Sequence, residues 1–289
     1  MPELPEVETV RLGLIPVMSG RTIAFFEQRR DKLRWPLPTN MSERLKGVKI
    51  LRLSRRAKYI QMHLDSDETL ILHLGMSGRI LVHETITKKL KGVKSFKFNP
   101  PQLEKHDHLV FHLDDGSQVI FNDPRRFGAL DLVQSANLDS HAWLVNLGPE
   151  PLKDTFSSQY LLSKLSSRKG EIKTVLMDQK LVAGLGNIYV SEALWSAGIS
   201  PLRVACQVKS EEVSKLIRSI KKVLKSAIKQ GGTSLQDFRS VRGDLGYFQN
   251  KLNVYGRTGG RCRNRNCVEV IQNIKQGGRS SYFCKKCQR

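Results

Sequence analysis

The sequence predicts an α+β protein, an N-terminal helix and β-sandwich followed by a helical part that ends in a cysteine-bearing β-hairpin. Three observations carry that expectation. Short apolar runs broken by turn residues recur from about residue 21 to 134. Beyond about residue 152 the apolar residues fall at helical spacing. Four of the five cysteines lie past residue 260, in two close pairs. The expected boundaries are a sandwich domain at 1–134, a linker at 135–152, a helical domain with a long loop at 153–250, and the cysteine hairpin at 251–289.

In the opening Met-Pro-Glu-Leu-Pro-Glu-Val-Glu-Thr-Val, Pro5 sits where helix starts tolerate proline. Val7, Val10 and Leu14 then share one face of a helix ending near Gly20, with Glu3 just before it. Strands are expected at Thr22–Phe26, Val48–Leu53, Tyr59–Leu64, Thr69–Leu74, Arg79–His83, Leu109–Leu113, Val119–Phe121 and Ala129–Val133. Asp114-Asp115-Gly116 reads as a hairpin turn. Prolines in Gly148-Pro149-Glu150-Pro151 disfavour regular structure in the linker. The clearest helix starts at Ser210 as N-cap, followed by Glu211 and Glu212, and runs to Gly231-Gly232. Residues 232–250, rich in Gly, Ser and Asp, read as a long functional loop. The chain shows no internal repeat.

With 48 Lys plus Arg against 27 Asp plus Glu, the formal charge of +21 favours a polyanionic partner, nucleic acid first. No stretch approaches the roughly 18 apolar residues of a spanning helix, and no signal segment is read at the start. A cytoplasmic setting with reduced thiols or metal is expected. Cys262-x4-Cys267, sixteen intervening residues and Cys284-x2-Cys287 have the spacing of two knuckles joined by a hairpin around one tetrahedral Zn²⁺. Four thiolates leave no open coordination position, so the zinc is structural. Two disulfides or four scattered core cysteines are the alternatives. Cys206 stands apart as a small apolar residue. From Lys251 onward ten Lys or Arg face a single acid, Glu269, a surface suited to a phosphate backbone.

Removal of Met1 leaves Pro2 as a secondary amine. An α-amino group has a pKa near roughly 8, so part of it is neutral and nucleophilic at physiological pH. Condensation with an aldehyde gives an iminium with no N–H to lose, an electron sink. By itself such an opening is more often a solvated leader or a helix start than a catalytic amine.

The opening, together with Arg55-Arg56-Ala57-Lys58-Tyr59, His73-Leu74-Gly75-Met76-Ser77-Gly78, Asp123-Pro124-Arg125-Arg126-Phe127-Gly128, Gly184-Leu185-Gly186-Asn187-Ile188-Tyr189 and the cysteine pairs, resembles the formamidopyrimidine-DNA glycosylase family across essentially the whole chain. The resemblance implies a helix-two-turn-helix in the helical domain, a β-hairpin zinc finger, and Pro2 as the nucleophile with Glu3 handling protons. Lys58, otherwise a surface charge, corresponds to an active-site lysine that assists catalysis and strand cleavage. Met76, Arg125 and Phe127, individually ordinary, match the trio that fills the hole left by an everted nucleotide, with Arg125 bonding to the orphaned cytosine. Asn187 matches a DNA-backbone contact, and small residues around Gly184 and Gly186 open a helix N-terminus to a phosphate. Arg168, Lys173 and His106 lie at or near DNA-contact positions, His106 being read as a phosphate contact and not as half of a metal pair with His108. Arg279, at the hairpin tip, corresponds to a residue binding the phosphates flanking the lesion. Its counterpart is also assigned a proton-donor role, but a guanidinium pKa above roughly 12 makes charge stabilisation the safer reading.

The implied activity is base-excision repair of oxidised purines (8-oxoguanine, formamidopyrimidines) in damaged double-stranded DNA, with glycosylase and AP lyase steps and no cofactor beyond the zinc. The resemblance further implies a monomer with no obligatory protein partner, associated with the nucleoid of a bacterial-type cytoplasm. The purine branch is favoured by the Pro-Glu-Leu-Pro-Glu-Val-Glu opening, Arg125-Arg126-Phe127 and Gly246-Tyr247-Phe248. The rivals are an oxidised-pyrimidine glycosylase of the endonuclease VIII type, a non-catalytic DNA-damage-binding protein and an RNA-binding zinc-ribbon protein.

Overall fold

The computed structural model describes residues 2–83, 103–233 and 248–289. These fall into two compact units, one of Pro2 and Glu6–His141, the other of Glu3–Pro5, Ala142–Thr233 and 248–289. Among the described residues no helix is long and apolar enough to cross a membrane.

The first unit is built on α1 (Leu4–Met18), α2 (Met41–Leu45) and eight strands. These are β1 (Ile23–Gln28), β2 (Ile50–Arg56), β3 (Tyr59–Leu64), β4 (Glu68–His73), β5 (Arg79–His83), β6 (Asp107–Leu113), β7 (Gln118–Asn122) and β8 (Ala129–Gln134). They form two antiparallel four-stranded sheets, in the orders β1-β6-β7-β5 and β2-β3-β4-β8. Both inner faces and the Val7, Val10 and Leu14 face of α1 meet in one apolar core, with Phe26, Ile60, Leu72, Phe111 and Phe121 at its centre. The 114–116 turn joins β6 to β7, with Gly116 at φ 83°. The central strands β4 and β7 are buried almost throughout, whereas the edge strands β1 and β5 alternate or open to solvent. The short helix α2 had no counterpart in the sequence reading. Its five residues are too few for a periodic signal, and its buried Met41 and Leu45 fit a strand equally well.

The second unit contains α3 (Ser158–Leu165), α4 (Ile172–Leu176), α5 (Asn187–Ala197), α6 (Ser210–Lys229) and the hairpin β9 (Gln272–Gln276) and β10 (Arg279–Phe283). The helices share one core that includes Leu176, Tyr189, Leu194, Leu216, Ile220 and Leu224. In helix α6 the capping residue is Lys209, one position before the expected Ser210. Its N–H is taken by the Glu212 carboxylate at 2.8 Å, half of a capping box. The 135–152 stretch is not wholly irregular, since Ser135–Asn137 forms a turn of 3-10 helix. Cys206 is exposed, not packed as a small apolar residue.

Candidate active site and cysteine centre

Glu3 is almost fully buried, and its Oε1 accepts the Ile188 N–H at 2.9 Å while Oε2 accepts that of Tyr189 at 3.4 Å. Both donors belong to the first turn of α5, whose N–H groups have no partner inside the helix. The capping residue, Gly186, has no side chain to offer, so Glu3 caps α5 from a distant segment. Contact requires glycine there, because a Cβ on Gly186 would lie 2.5 Å from Glu3 Oε1. This corrects the expectation that the helix end is open to a phosphate. The Ile188 and Tyr189 donors are already held by a carboxylate.

At the same end of α5, Asn187 Nδ2 and Lys173 Nζ both donate to the Ser280 carbonyl, at 3.0 and 3.2 Å. Ser280 follows Arg279, which is exposed at the start of β10. Arg279 pairs with Gln276 across Gly277-Gly278, both at positive φ, 52° and 76°. Such a two-residue turn matches the twist of the strands it joins. Lys173 is buried, its pKa pushed down to about 8 by burial and the Arg279 charge, against Glu3 and Glu171. Glu3, Lys173, Asn187 and Arg279 thus form one coupled group in the second unit. Arg168 is exposed, its guanidinium 3.7 Å from the Asp178 carboxylate.

In the first unit Pro2 is buried. Lys58 is 8 % exposed, so the surface-charge reading is set aside. It sits in the β2–β3 turn beside Ala57, which takes φ 52°. That turn is held from α1, where Glu8 binds Arg55 Nε at 2.9 Å and Arg55 Nη1 donates to the Ala57 carbonyl at 2.8 Å.

Met76, Arg125 and Phe127 are exposed on two turns, the first otherwise buried from Leu74 to Gly78, the second buried at Asp123 and Gly128 with Pro124 and Arg126 exposed as well. Gly75 brings the turns together, because a Cβ there would collide with the Phe127 and Gly128 backbone. The buried Asp123 carboxylate locks them, accepting Ser77 Oγ at 2.6 Å and the Gly128 N–H at 2.7 Å. The Arg125 guanidinium lies 4.9 Å over the Phe127 ring. Gly75 N–H donates to His73 Nδ1 at 3.0 Å. Burial, with Lys58 and Arg34 nearby, pulls the His73 pKa down to about 4, so the ring stays neutral and that acceptor is kept.

His106 is half-buried in the turn before β6. His108 is buried and donates Nε2–H to the Asp123 carbonyl at 2.9 Å. A cavity of about 520 Å³ in this region is lined by Arg29, Arg30, Lys32 and Lys105 beside Asp31 and Asp107. Of Gly246-Tyr247-Phe248, the first two residues lie outside the described residues, as does most of the 232–250 loop. Phe248 is buried with its ring 5.8 Å from that of Tyr189.

The four cysteine sulfurs all lie within 4.8 Å of one another. Cys262 to Cys287 is 3.8 Å and Cys267 to Cys284 is 3.6 Å, and all are free thiols, which removes the disulfide alternative. Sulfurs about 2.3 Å from a tetrahedral metal stand about 3.8 Å apart, so the set fits one ion. Asn264 Nδ2 donates to Cys287 Sγ at 3.6 Å. Burial pushes the Cys262 thiol up, but N–H donors from Asn264 and the Trp195 indole bring it below its ordinary value. Cys287 is pushed up to about 12 by burial and the neighbouring sulfurs. Sulfurs this crowded ionise together only around a cation, which deprotonates them as it binds.

A family model described as formamidopyrimidine-DNA glycosylase N-terminal domain matches residues 1–130, and one described as formamidopyrimidine-DNA glycosylase H2TH domain matches residues 147–239. The chain belongs to the formamidopyrimidine-DNA glycosylase family. The formamidopyrimidine-DNA glycosylase of Dinoroseobacter shibae is 53% identical over 289 residues, and that of Ruegeria pomeroyi 52%, each covering 100% of both chains. Wild-type Lactococcus lactis Fpg, solved with an N7-benzyl-Fapy-dG containing DNA, superposes with a TM-score of 0.86 at 37% identity over 100% of both chains. Fpg (MutM) from Thermus thermophilus gives 0.84 at 34% identity, over 99% of this chain and 98% of that one.

Three features of this glycosylase escaped the sequence reading. Glu192 of α5, almost fully buried, accepts the backbone N–H groups of Asn253, Val254 and Tyr255 and the Asn253 side chain at 2.9–3.0 Å, clamping the chain that enters the cysteine hairpin. His73 holds Gly75, and Asp123 locks the two turns. Glu192 sits in an apolar helix with no spacing signal. The His73 and Asp123 motifs were recognised, but the contacts they make form only when the turns close.

Proposed function

We propose that the protein is a bifunctional glycosylase and AP lyase that removes oxidised purines from damaged double-stranded DNA in base-excision repair. The observation that carries this reading is the Met76, Arg125 and Phe127 group: exposed apolar and cationic side chains on two turns locked to each other through the buried Gly75, Ser77 and Asp123. A thioether and an aromatic ring on a rigid base can replace the stacking lost when a nucleotide leaves the duplex, and a guanidinium can bond to the base left behind. The +21 charge supplies the sequence-independent grip.

In this reading Met1 is removed and the neutral Pro2 amine attacks C1′ of the damaged nucleotide. Glu3, immobilised on α5, manages the proton of the opening sugar, and the base departs to leave an iminium between Pro2 and C1′. That cation acidifies the C2′ protons; β-elimination expels the 3′ phosphate and δ-elimination the 5′ phosphate, leaving a one-nucleotide gap. Lys58 assists at the first-unit side, and Arg279, stiffened by the Ser280 contacts of Asn187 and Lys173, stabilises phosphate charge. His106 and Arg168 are backbone contacts. The metal held by Cys262, Cys267, Cys284 and Cys287 is zinc, which maintains the hairpin and takes no part in the chemistry.

The test is borohydride trapping on a duplex carrying 8-oxoguanine opposite cytosine, with wild type, Pro2→Gly and Lys58→Ala. A covalent complex that disappears in Pro2→Gly, and is weakened in Lys58→Ala, is expected. Trapping only on an oxidised-pyrimidine duplex would move the protein to the pyrimidine branch. Binding without trapping on either would leave a damage-binding protein.

A further inference from the structure

Met76 and Arg125 stand on different turns, and one buried hydroxyl joins the two. Ser77, the residue after Met76, donates its Oγ–H to Asp123 Oδ1 at 2.6 Å and accepts the Arg125 N–H on the same oxygen at 3.2 Å. A hydroxyl has one proton to give, and a carboxylate only accepts, so the lone pairs of Ser77 Oγ are left for the Arg125 amide. The ends of the second turn are held separately. The Asp123 carbonyl takes the Arg126 N–H at 3.2 Å, and Asp123 Oδ2 takes the Gly128 N–H at 2.7 Å. Between them Arg126 adopts φ 58°, uncommon for a residue with a long side chain. The Phe127 ring, 4.9 Å from the Arg125 guanidinium, supports the head of that side chain. The Ser77 bond fixes the main chain from which it springs.

We propose that Ser77 is a positioning residue for recognition of the base opposite the lesion, setting where the Arg125 guanidinium stands relative to Met76. The proposal rests on the reading of Arg125 as the group that bonds to the base left behind. Cytosine offers two acceptors along its pairing edge, whereas adenine sets an amino donor beside a single acceptor. A guanidinium tells them apart only when two of its N–H groups meet the edge together. Such a pair tolerates displacement of only about 0.5 Å, so its support has to be rigid. Loss of the Ser77 hydroxyl leaves the Arg125 N–H and one Asp123 oxygen without this partner, and the turn shifts to satisfy them.

Excision of 8-oxoguanine is measured on duplexes with cytosine and with adenine opposite, and the ratio of the two kcat/KM values is the readout. Ser77→Ala should lower the cytosine preference by about fivefold, the lower end of what a bidentate side chain contributes to base discrimination. In an Arg125→Ala background, itself without the preference, Ser77→Ala should leave the ratio where it is. A fold that is merely loosened would slow both reactions by one factor. An unchanged ratio in Ser77→Ala, with the preference lost in Arg125→Ala, would overturn the proposal. Should Ser77→Ala fail to fold, Ser77→Cys, of similar shape and a weaker acceptor, takes its place with the same two outcomes. In the wild type the Arg125 amide should exchange with solvent more slowly than an unbonded amide, and exchange at the unbonded rate would also overturn the proposal. An intact preference in Arg125→Ala would overturn the reading of Arg125 and this proposal with it. A wild type that excises from neither duplex would overturn the proposed function itself, and this inference with it.

Discussion

His73 accepts the Gly75 N–H on Nδ1 only while its ring is neutral, so the turn bearing Met76 depends on a proton staying off one nitrogen. Its folded pKa of about 4 lies below the ordinary 6.5. A depressed pKa gives stability that is fully present above the unfolded value and lost as pH falls through the folded one. The window is therefore about pH 6.5 down to about pH 4, and the displacement is worth at most about 3 kcal/mol. Denaturant unfolding of wild type and His73→Asn, whose amide oxygen can replace the acceptor, checks this. The variant should lose less stability than wild type across that window, and parallel profiles would refute the assignment. Legibility at this scale was uneven. The His73 motif was visible, but its partner became visible only when the turn closed; Lys58 looked like any surface lysine until the β2–β3 turn buried it.

Helix α5 gathers most of the second unit's chemistry: Glu3 on its first-turn N–H groups, Asn187 on Ser280, Glu192 on residues 253–255. The strand pattern of the sandwich was legible because alternation and turns are local properties, and Tyr59–Leu64 and Arg79–His83 fall where expected. The capping of α5 was not, since the Glu3 acceptor lies 185 residues away in sequence. A Gly-x-Gly before a helix fits a phosphate or a carboxylate equally well. Gly186→Ala separates the two: its Cβ cannot coexist with the Glu3 carboxylate 2.5 Å away. Displacing a catalytic group by about 1 Å can cost on the order of 100-fold. Single-turnover excision by Gly186→Ala should fall by about that factor, roughly 100-fold, while duplex binding stays nearly unchanged. Were Gly186 serving a phosphate instead, binding would weaken and the excision rate of bound substrate would hold.

The charge of +21 belongs to the whole molecule, yet its densest stretch is the hairpin region from Lys251 on, with ten cations against Glu269. That region has only a small core, Val254, Ile271 and Phe283 beside the cysteines, too little apolar surface to order it without a metal. Glu192 and the Ser280 carbonyl hold it to the helices, but these bonds need the hairpin folded before they can form. Metal removal should therefore release the hairpin cations from a fixed arrangement and leave the two larger cores intact. Duplex affinity measured across a salt series reads the difference, since each phosphate neutralised contributes about 0.9 to the slope of log K against log salt. Stripped protein should bind more weakly with a slope shallower by about 0.9 or more, and readdition of zinc should restore both. Arg279→Ala in the metal-loaded protein should remove about one contact's slope. If stripping leaves the slope unchanged while excision still collapses, the hairpin acts by placing Arg279 at the lesion and not by gripping the backbone.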